Sequence, residues 1–367
     1  MKSKKINSLY IHIPFCKHIC RYCDFTKLLY NDNFSNLYIR QLFKELNSYK
    51  IGKVSTIYIG GGTPTSLNDN QFEELLKKVS PHLRKNGEFS IEANVENLTL
   101  KKLLLMRQYN VNRLSIGVES TDDKMLELIG RKHTFNDAKN AIKSAKEVGF
   151  DNINIDLIYG FPNQTIEQLQ KDLENFINLN VDHVSIYSLI VEKGTMFYND
   201  NIVEQNQDDS RQYYDEILSF LRKNGYKRYE ISNFARNKKY SKHNLTYWKD
   251  KQYYGIGLGA SGYINNIRYT NTKSLSKYLN GEYIDFKEKI DKKLEIEDYL
   301  LTNFRLEDGF KDKDFFERFG VSFSEMFKSM IKSLEKDNYL IIKNGKIRFS
   351  DDGLMIMDHL LNKILWI

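Results

Sequence analysis

From residue 9 to about residue 190, two hydrophobic patterns alternate along the chain. One is a short run rich in β-branched and aromatic residues, typical of a buried strand; the other is a longer segment with the apolar spacing of an amphipathic helix. This alternation predicts an α/β fold in which helices pack outside a parallel sheet. The predicted strands are residues 9–13, 54–59, 89–93, 113–118, 153–157 and 184–189. The predicted helices are residues 34–49, 70–83, 99–109, 135–148, 166–179 and 210–224.

Six strand–helix units are more than one half of a dinucleotide-binding fold needs and fewer than the eight units of a complete barrel. We therefore expect a partial six-unit barrel, although the spacing alone is also compatible with an open sheet. Asn68 and Thr99 stand at predicted helix starts as N-caps. Ligands bind at the carboxyl ends of parallel strands, so residues that follow the predicted strands are candidates for function.

The hydrophobic pattern changes after the predicted barrel. Residues 226–290 are rich in aromatic residues and glycine, and we expect them to complete the substrate side. From residue 291 onward, predicted helices are followed by a strand pair and a last helix, and Asn344-Gly345 is a strong hairpin-turn signal. This predicts a small C-terminal α+β domain, for which a winged helix is one candidate. The expected division of the chain is residues 1–225, 226–290 and 291–367.

Composition places the 367-residue chain among soluble globular proteins, with 41% hydrophobic and 28% charged residues. The sequence has no apolar run of transmembrane length and no apolar signal segment near its start, so a cytoplasmic location is expected. The formal net charge is +7, but lysines and arginines are interspersed with acids. This favours a solvated surface over a nucleic-acid partner. A peripheral membrane contact stays open.

The three cysteines, Cys16, Cys20 and Cys23, lie within eight residues, directly after the first predicted strand. An odd number so close together does not fit a disulfide framework and indicates metal ligands in a reducing compartment. Thiolates are ligands of iron–sulfur clusters, and three of them leave one iron of a four-iron cube open. The alternative is a zinc site completed by His12 or His18, although the spacing differs from the paired knuckles of structural zinc.

The Cys-x-x-x-Cys-x-x-Cys spacing after a first strand resembles the signature of radical S-adenosylmethionine (radical SAM) proteins. The wider sequence is similar to the group that contains oxygen-independent coproporphyrinogen III oxidase and related haem chaperones. This resemblance implies a partial six-unit barrel, a 4Fe–4S cluster held by the three cysteines, and S-adenosylmethionine (SAM) chelated to the open iron. The segments that carry it are residues 10–16, 60–65, 92–94, 112–117, 156–162, 229–235 and 243–248.

The resemblance also implies contacts to SAM. The glycine loop after the second predicted strand would meet its amino group, Glu92 would accept hydrogen bonds from the ribose, and Arg131 would pair with the methionine carboxylate. Asp156 ends an apolar run and, as a buried acid, needs a ligand or an arginine as partner. Taken alone, such residues also fit a turn, an ion pair or ordinary packing. The expected contact residues are Tyr10, Tyr22, Gly61, Gly62, Thr63, Glu92, Glu119, Arg131 and Asp156.

One histidine lies outside the predicted barrel, in a segment rich in tyrosine and tryptophan. This residue, His243, is the candidate haem ligand, because imidazole commonly binds haem iron and aromatic side chains suit a porphyrin face. The alternative is a structural role, which is the commoner one for a lone histidine.

Three departures distinguish this chain within the group. The oxidases carry a further cysteine where this chain has Phe25, and they have an N-terminal extension before the cluster loop. Glu119 stands where glutamine is usual, which changes the charge beside SAM. The first two departures favour a chaperone that binds haem and transfers it to apo-haemoproteins. The alternatives are radical decarboxylation of two propionates of coproporphyrinogen III, or another radical reaction on a tetrapyrrole; the electron donor is not identifiable from the sequence.

Overall fold

In the computed structural model, which describes residues 6–365, strands and helices alternate as the hydrophobic pattern predicts. The strands are β1 (Ser8–Ile13), β2 (Phe15–Cys16), β3 (Leu28–Leu29), β4 (Val54–Gly61), β5 (Leu83–Asn94), β6 (Arg113–Glu119), β7 (Ile153–Tyr159), β8 (His183–Ser188), β9 (Lys227–Glu230), β10 (Asn233–Ala235), β11 (Tyr254–Ile256), β12 (Ser261–Ile264), β13 (Ile267–Asn271), β14 (Ile284–Lys289), β15 (Phe310–Lys311), β16 (Leu340–Lys343) and β17 (Lys346–Phe349). The α-helices are α1 (Asp32–Ser48), α2 (Asp69–Val79), α3 (Leu100–Gln108), α4 (Asp123–Leu128), α5 (Phe135–Glu147), α6 (Ile166–Asn178), α7 (Met196–Asn199), α8 (Gln207–Lys223), α9 (Asn244–Trp248), α10 (Leu275–Leu279), α11 (Lys292–Asn303), α12 (Asp312–Phe319), α13 (Phe323–Met326), α14 (Lys328–Lys336), α15 (Asp351–Met355) and α16 (Met357–Leu365). Short 3-10 helices span Pro64–Ser66, Ser80–His82 and Val95–Asn97.

Within these residues a nine-stranded sheet runs in the order β11-β1-β4-β5-β6-β7-β8-β10-β9. Neighbouring strands are parallel from β11 to β8, and β10 and β9 complete one edge in antiparallel pairing. The edge strands of the described sheet, β11 and β9, do not pair with each other. The parallel strands β1, β4, β5, β6, β7 and β8 therefore form an open, partial barrel, and the predicted fold class is confirmed.

The two faces of the sheet differ in chemistry, because side chains alternate across each strand. In β1, the side chains of Leu9, Ile11 and Ile13 are buried in the apolar core between the sheet and the helices. Burial of one such side chain contributes about 1.5–3 kcal/mol relative to exposure. The alternate residues are polar or aromatic, and Ser8 accepts a hydrogen bond from Thr56 Oγ1 of β4 at 2.9 Å. The outer face thus holds the helices, whereas the inner face carries polar groups.

Helix starts follow the capping residues that the sequence predicts. Asn68 forms a reciprocal capping box at α2, and the Thr99 side chain caps α3. The predicted helix 70–83 is too long, because α2 ends at Val79 and a 3-10 turn containing Pro81 follows. Proline lacks the amide hydrogen that would extend the α-helix. No helix within residues 6–365 is both long and apolar enough to cross a membrane.

Residues 226–290 supply both edges of the main sheet and the antiparallel sheet β12-β13-β14. The segment around His243 packs against the amino-terminal ends of the parallel strands. The His243 backbone N–H donates to Glu88 at 2.9 Å, and the Thr246 and Ser8 hydroxyls are hydrogen-bonded at 2.9 Å. This segment therefore covers the end of the barrel opposite to the carboxyl ends of the strands.

Residues 291–365 form a module with its own core, in which phenylalanine is the commonest aromatic residue. Helix α11 is followed by β15, helices α12 to α14 and the hairpin β16–β17, and the sheet order is β15-β17-β16. Asn344 and Gly345 take φ values of 54° and 71°, as a two-residue hairpin turn requires. This element order is that of a winged helix, in agreement with the candidate named from the sequence.

Candidate functional site

The carboxyl ends of the parallel strands surround a cavity of about 470 Å³. Because parallel strands end at the same edge of a sheet, residues distant in sequence meet there. The predicted site residues that line it are Cys16, Cys20, Tyr22, Cys23, Gly61, Gly62, Thr63, Glu92, Glu119, Arg131 and Asp156. Tyr10 and His243 are not among its described lining residues.

The three cysteines lie on one loop at this cavity. Cys16 is in β2, which pairs with β3, and Cys20 and Cys23 are half-buried further along the loop. All three thiols are free. Burial raises the pKa of the Cys16 thiol to about 11, and burial also raises the pKa of the other two thiols. Since iron binds thiolates, cluster assembly on this loop must release protons.

The glycine that follows β4, Gly62, lets the cysteine loop pack closely. A Cβ atom on Gly62 would lie 2.7 Å from the carbonyl carbon of Pro14 and 3.0 Å from Cys16 Sγ. The Gly62 amide donates to Ile13 O at 2.9 Å, and Thr63 Oγ1 donates to Cys16 Sγ at 3.5 Å. Backbone contacts therefore place the first thiol at the cavity, and three thiols on one loop fit an iron–sulfur cluster with one open iron.

The histidines considered for a zinc site do not complete one. His12 Nε2 lies 2.8 Å from Thr26 O and its Nδ1 lies 3.0 Å from Tyr10 Oη, so both ring nitrogens have partners. His18 is exposed at the cavity. Within residues 6–365, no three His, Cys, Asp or Glu side chains gather closely enough to hold one metal ion. A four-iron cluster binds its thiolates through different irons, so the donor set fits the cluster better than a single zinc ion.

Glu92 projects from β5 into the cavity. Its Oε1 accepts a hydrogen bond from Tyr58 Oη at 2.7 Å, and its Oε2 accepts one from the Gly61 amide at 2.9 Å. Burial raises the pKa of this carboxyl even though both donors favour its charged form. Each carboxylate oxygen has a second lone pair, so Glu92 can still accept a hydrogen bond from a ligand hydroxyl.

Glu119 and Arg131 form a buried ion pair in the cavity wall. The Glu119 Oε1 and Arg131 Nη2 atoms are in direct contact, and the side chains are only 7% and 5% exposed. Glu119 ends β6 at a β-bulge with a φ of 70°. A Cβ atom on Gly117 would lie 2.5 Å from Arg131 Nη2, so glycine makes room for the guanidinium. Arg131 Nε is buried without a hydrogen-bond partner among the described residues.

Asp156 is half-buried in the middle of β7 and lines the cavity. Burial, followed by the negative charge of Glu119, raises the pKa of this carboxyl to about 7. Asn154 Nδ2 donates to Asp156 Oδ1 at 2.8 Å, and this hydrogen bond lowers the pKa. Glu92 raises it further. The expected arginine partner is instead paired with Glu119. Among the predicted site residues, three carboxyl groups therefore share the cavity with one guanidinium.

Comparison with known proteins decides among the families that this geometry allows. The Radical SAM superfamily model matches residues 10–176, and the HemN C-terminal domain model matches residues 290–356. The heme chaperone HemW of Lactococcus lactis subsp. lactis (strain IL1403) is 38% identical over 99% of this chain and 98% of its own length. The heme chaperone HemW of Bacillus subtilis (strain 168) is 35% identical over 98% of this chain and 99% of its own length. The chain belongs to the HemW family.

The fold of this HemW-family chain is shared with a solved structure. Coproporphyrinogen III oxidase (HemN) from Escherichia coli, described as a radical SAM enzyme, has a TM-score of 0.85 at 23% identity. The match covers 98% of this chain and 89% of that one. Membership of the radical SAM superfamily implies a 4Fe–4S cluster and SAM, and the three thiols and the cavity beside them suit both groups.

The two tyrosines expected beside the cofactors lie in different surroundings. Tyr22 lines the cavity and packs against an apolar cluster that includes Leu126 and Ile129. Tyr10 faces the inside of the barrel, where its ring stacks on that of Tyr58 with centroids 6.2 Å apart. Its expected contact with the cofactor is not supported by the cavity lining.

The surroundings of His243 give it a structural role in this HemW-family chain. The side chain is completely buried, with Nδ1 2.9 Å from Thr56 Oγ1 and Nε2 2.8 Å from Tyr247 Oη. Burial lowers the pKa of the imidazole to about 3. Since both ring nitrogens are engaged at the amino-terminal end of the barrel, the expectation that His243 ligates haem is corrected: this structure leaves neither nitrogen open to an iron.

Sequence reasoning missed the apolar rim of the cavity. Phe25, Tyr187 and Ile190 line its mouth, and they are 64%, 43% and 55% exposed. Lys27 and His18 lie at the same mouth. Tyr187 lies near the end of the sixth predicted strand and Ile190 directly follows it, and this position was the available signal. The exposure of apolar residues cannot be read from a strand pattern.

Asp156 should make the stability of the protein depend on pH. Its pKa rises from an ordinary value of 3.8 to about 7 on folding, so the folded state binds the proton more tightly than the unfolded state. Stability is therefore expected to fall as pH rises from about 4 to about 7. Asp156→Asn should remove that part of the decline. Urea denaturation across this pH range measures the free energy of unfolding of wild type and variant. Equal slopes of that free energy against pH would contradict the raised pKa of Asp156.

Proposed function

We propose that this chain binds haem and transfers it to apo-haemoproteins, with a 4Fe–4S cluster and SAM bound in the same cavity. The observation that carries the proposal is the cavity itself, which joins three thiols to an exposed apolar mouth. The similarity to heme chaperones HemW over almost the whole chain supports it. Residues 1–225 would carry the cofactors, 226–290 would supply the edge strands and complete the substrate side through Ser232, and 291–367 would form an accessory domain. Residues 1–5 and 366–367 lie outside the described range.

The cofactor roles follow from the donor groups around the cavity. Cys16, Cys20 and Cys23 would hold the cluster, and the neighbouring glycine loop would offer backbone groups to SAM. Glu92 would accept from a ribose hydroxyl, and Asp156 would offer a second carboxyl group. When bound, a reduced cluster supplies an electron to SAM. Tyr22 and the buried wall behind it would exclude water from that site.

The mouth of the cavity suits a porphyrin. The side chains of Phe25, Tyr187 and Ile190 are exposed, and contact with a porphyrin macrocycle would remove their apolar surface from water. Removal of apolar surface from water is favourable. Lys27 could pair with a propionate, and His18 presents an exposed imidazole at the same mouth. Haem would therefore bind beside the cofactors and not at His243. The recipient apo-haemoproteins and an electron donor are the proposed partners.

Haemin titration of anaerobically reconstituted protein tests this proposal. The Soret band should shift and saturate at a single equivalent. Phe25→Ser and Ile190→Ser should each raise the Kd by about tenfold, because each removes a large apolar contact. Phe316→Ser is the matched control, since Phe316 is 52% exposed on α12 and does not line the cavity. His18→Ala should alter the absorption spectrum of the bound haem. His243→Ala should affect haem binding only by lowering the stability of the protein.

Two results would contradict the proposal. A free-haemin spectrum that grows linearly with added haemin would show that no site exists. Conversion of coproporphyrinogen III to a vinyl product by the reduced protein with SAM would favour the oxidase. Transfer is checked separately by mixing haem-loaded protein with a colourless apo-haemoprotein and following the appearance of the recipient's own spectrum.

A further inference from the structure

Glu119 already occupies the guanidinium of Arg131, which is the one arginine among the described residues that line the cavity. Its carboxylate contacts Arg131 Nη2, and the two side chains are buried together. A buried charge needs a partner, so in the absence of a ligand this pair satisfies both residues. A ligand carboxylate that approaches Arg131 therefore meets a carboxylate that is already there.

The cavity offers few other positive charges. Among its described lining residues the lysine and arginine side chains are Lys27 and Arg131, and Lys27 Nζ already bonds the backbone carbonyls of Cys23 and Phe25. The acidic lining residues are Asp24, Glu92, Glu119, Asp156 and Glu192. Such a cavity attracts a cationic ligand as a whole but repels its carboxylate.

Arg131 is placed to meet the amino-acid end of SAM. It lines the same cavity as the three cysteines, which would leave one iron of a four-iron cluster open. Arg131 Nε is buried without a partner among the described residues, which leaves a donor for a further acceptor. The positive φ of Glu119 and the missing side chain at Gly117 hold the pair in this position.

We propose that Glu119 competes with the methionine carboxylate of SAM for Arg131 and thereby sets the cofactor affinity of this chain. The inference rests on the proposed use of SAM. Binding of SAM requires Glu119 to share or leave the guanidinium, whereas a glutamine at this position would keep the shape and remove the competing charge. This chain then binds SAM more weakly than its own Glu119→Gln variant.

The test measures SAM binding by equilibrium dialysis, with cluster content verified by iron and sulfide analysis in every sample. Glu119→Gln should lower the Kd of SAM by about tenfold, because the substitution removes the negative charge that repels the carboxylate of SAM. The Kd of 5′-methylthioadenosine, which has the adenosine and sulfur but no carboxylate, should not change. Glu96→Gln is the matched control: Glu96 lies 3.6 Å from His133, acts on Arg131 only through its charge, and does not line the cavity.

The outcomes separate this inference from the proposed function. Wild-type and variant proteins that bind SAM equally well overturn the competition, and so does a gain that 5′-methylthioadenosine or Glu96→Gln reproduces. Failure of both cluster-loaded proteins to bind SAM overturns the proposed cofactor use together with the inference. Should Glu119→Gln fold poorly, Glu119→Asn removes the same charge and is the second variant, since asparagine tolerates the positive φ found here.

Discussion

Serine in place of any one of Cys16, Cys20 and Cys23 is expected to abolish assembly of the 4Fe–4S cluster. The chain has only three cysteines, so no other thiol can replace a lost ligand. A serine hydroxyl is a much weaker iron ligand than a thiolate, and a cluster held by two thiolates would have two irons without protein sulfur. Iron and sulfide content after anaerobic reconstitution, together with the visible absorption of the cluster, measures the effect.

The loss should come from ligation and not from misfolding. Cys20 and Cys23 are half-buried at a cavity, so their serine variants should keep the thermal stability of the metal-free protein. Thr63→Val is the control, because it removes the hydroxyl that donates to Cys16 Sγ and leaves all three thiols in place. Full iron content in a single-serine variant would refute the assignment of that cysteine, whereas iron loss in Thr63→Val would show that the hydroxyl is also required.

Arg228→Met is expected to lower the stability of the folded protein. The Arg228 side chain is 1% exposed, and it bridges the barrel edge to the C-terminal module through Glu307 and Asp351. Removing one partner from a buried ion pair destabilises by about 3–5 kcal/mol. The two carboxylates are 31% and 42% exposed, so water can hydrate them. We therefore expect a decrease of about 2 kcal/mol in the free energy of unfolding.

Arg211→Met is the matched control for this prediction. Arg211 also joins the barrel to the C-terminal module, through Asp352 at 2.8 Å, but its side chain is 37% exposed. Exposed pairs contribute about 0–1 kcal/mol, so this variant should unfold close to wild type. Urea denaturation of both variants at neutral pH makes the comparison. Equal losses would mean that burial of Arg228 adds nothing to the docking of the module.

The sequence by itself determined the local structure and the chemistry of the cluster loop. Strand and helix follow from apolar spacing over a few residues, and the caps at Asn68 and Thr99 follow from side chains that bond backbone groups within the first turn. The hairpin at Asn344-Gly345 needs only two residues that accept positive φ. Three thiols on one loop likewise need no distant partner to indicate an iron–sulfur cluster.

Only the tertiary structure decided the surroundings of the other site residues. His243 is hydrogen-bonded to Thr56, which is 187 positions away in the chain. This contact identifies His243 as a buried structural residue and not as a haem ligand. The pairing of Glu119 with Arg131 likewise depends on a β-bulge and a glycine that bring two elements together. Burial, charge pairing and pKa depend on which groups meet in space, and a local sequence pattern contains no information on distant partners.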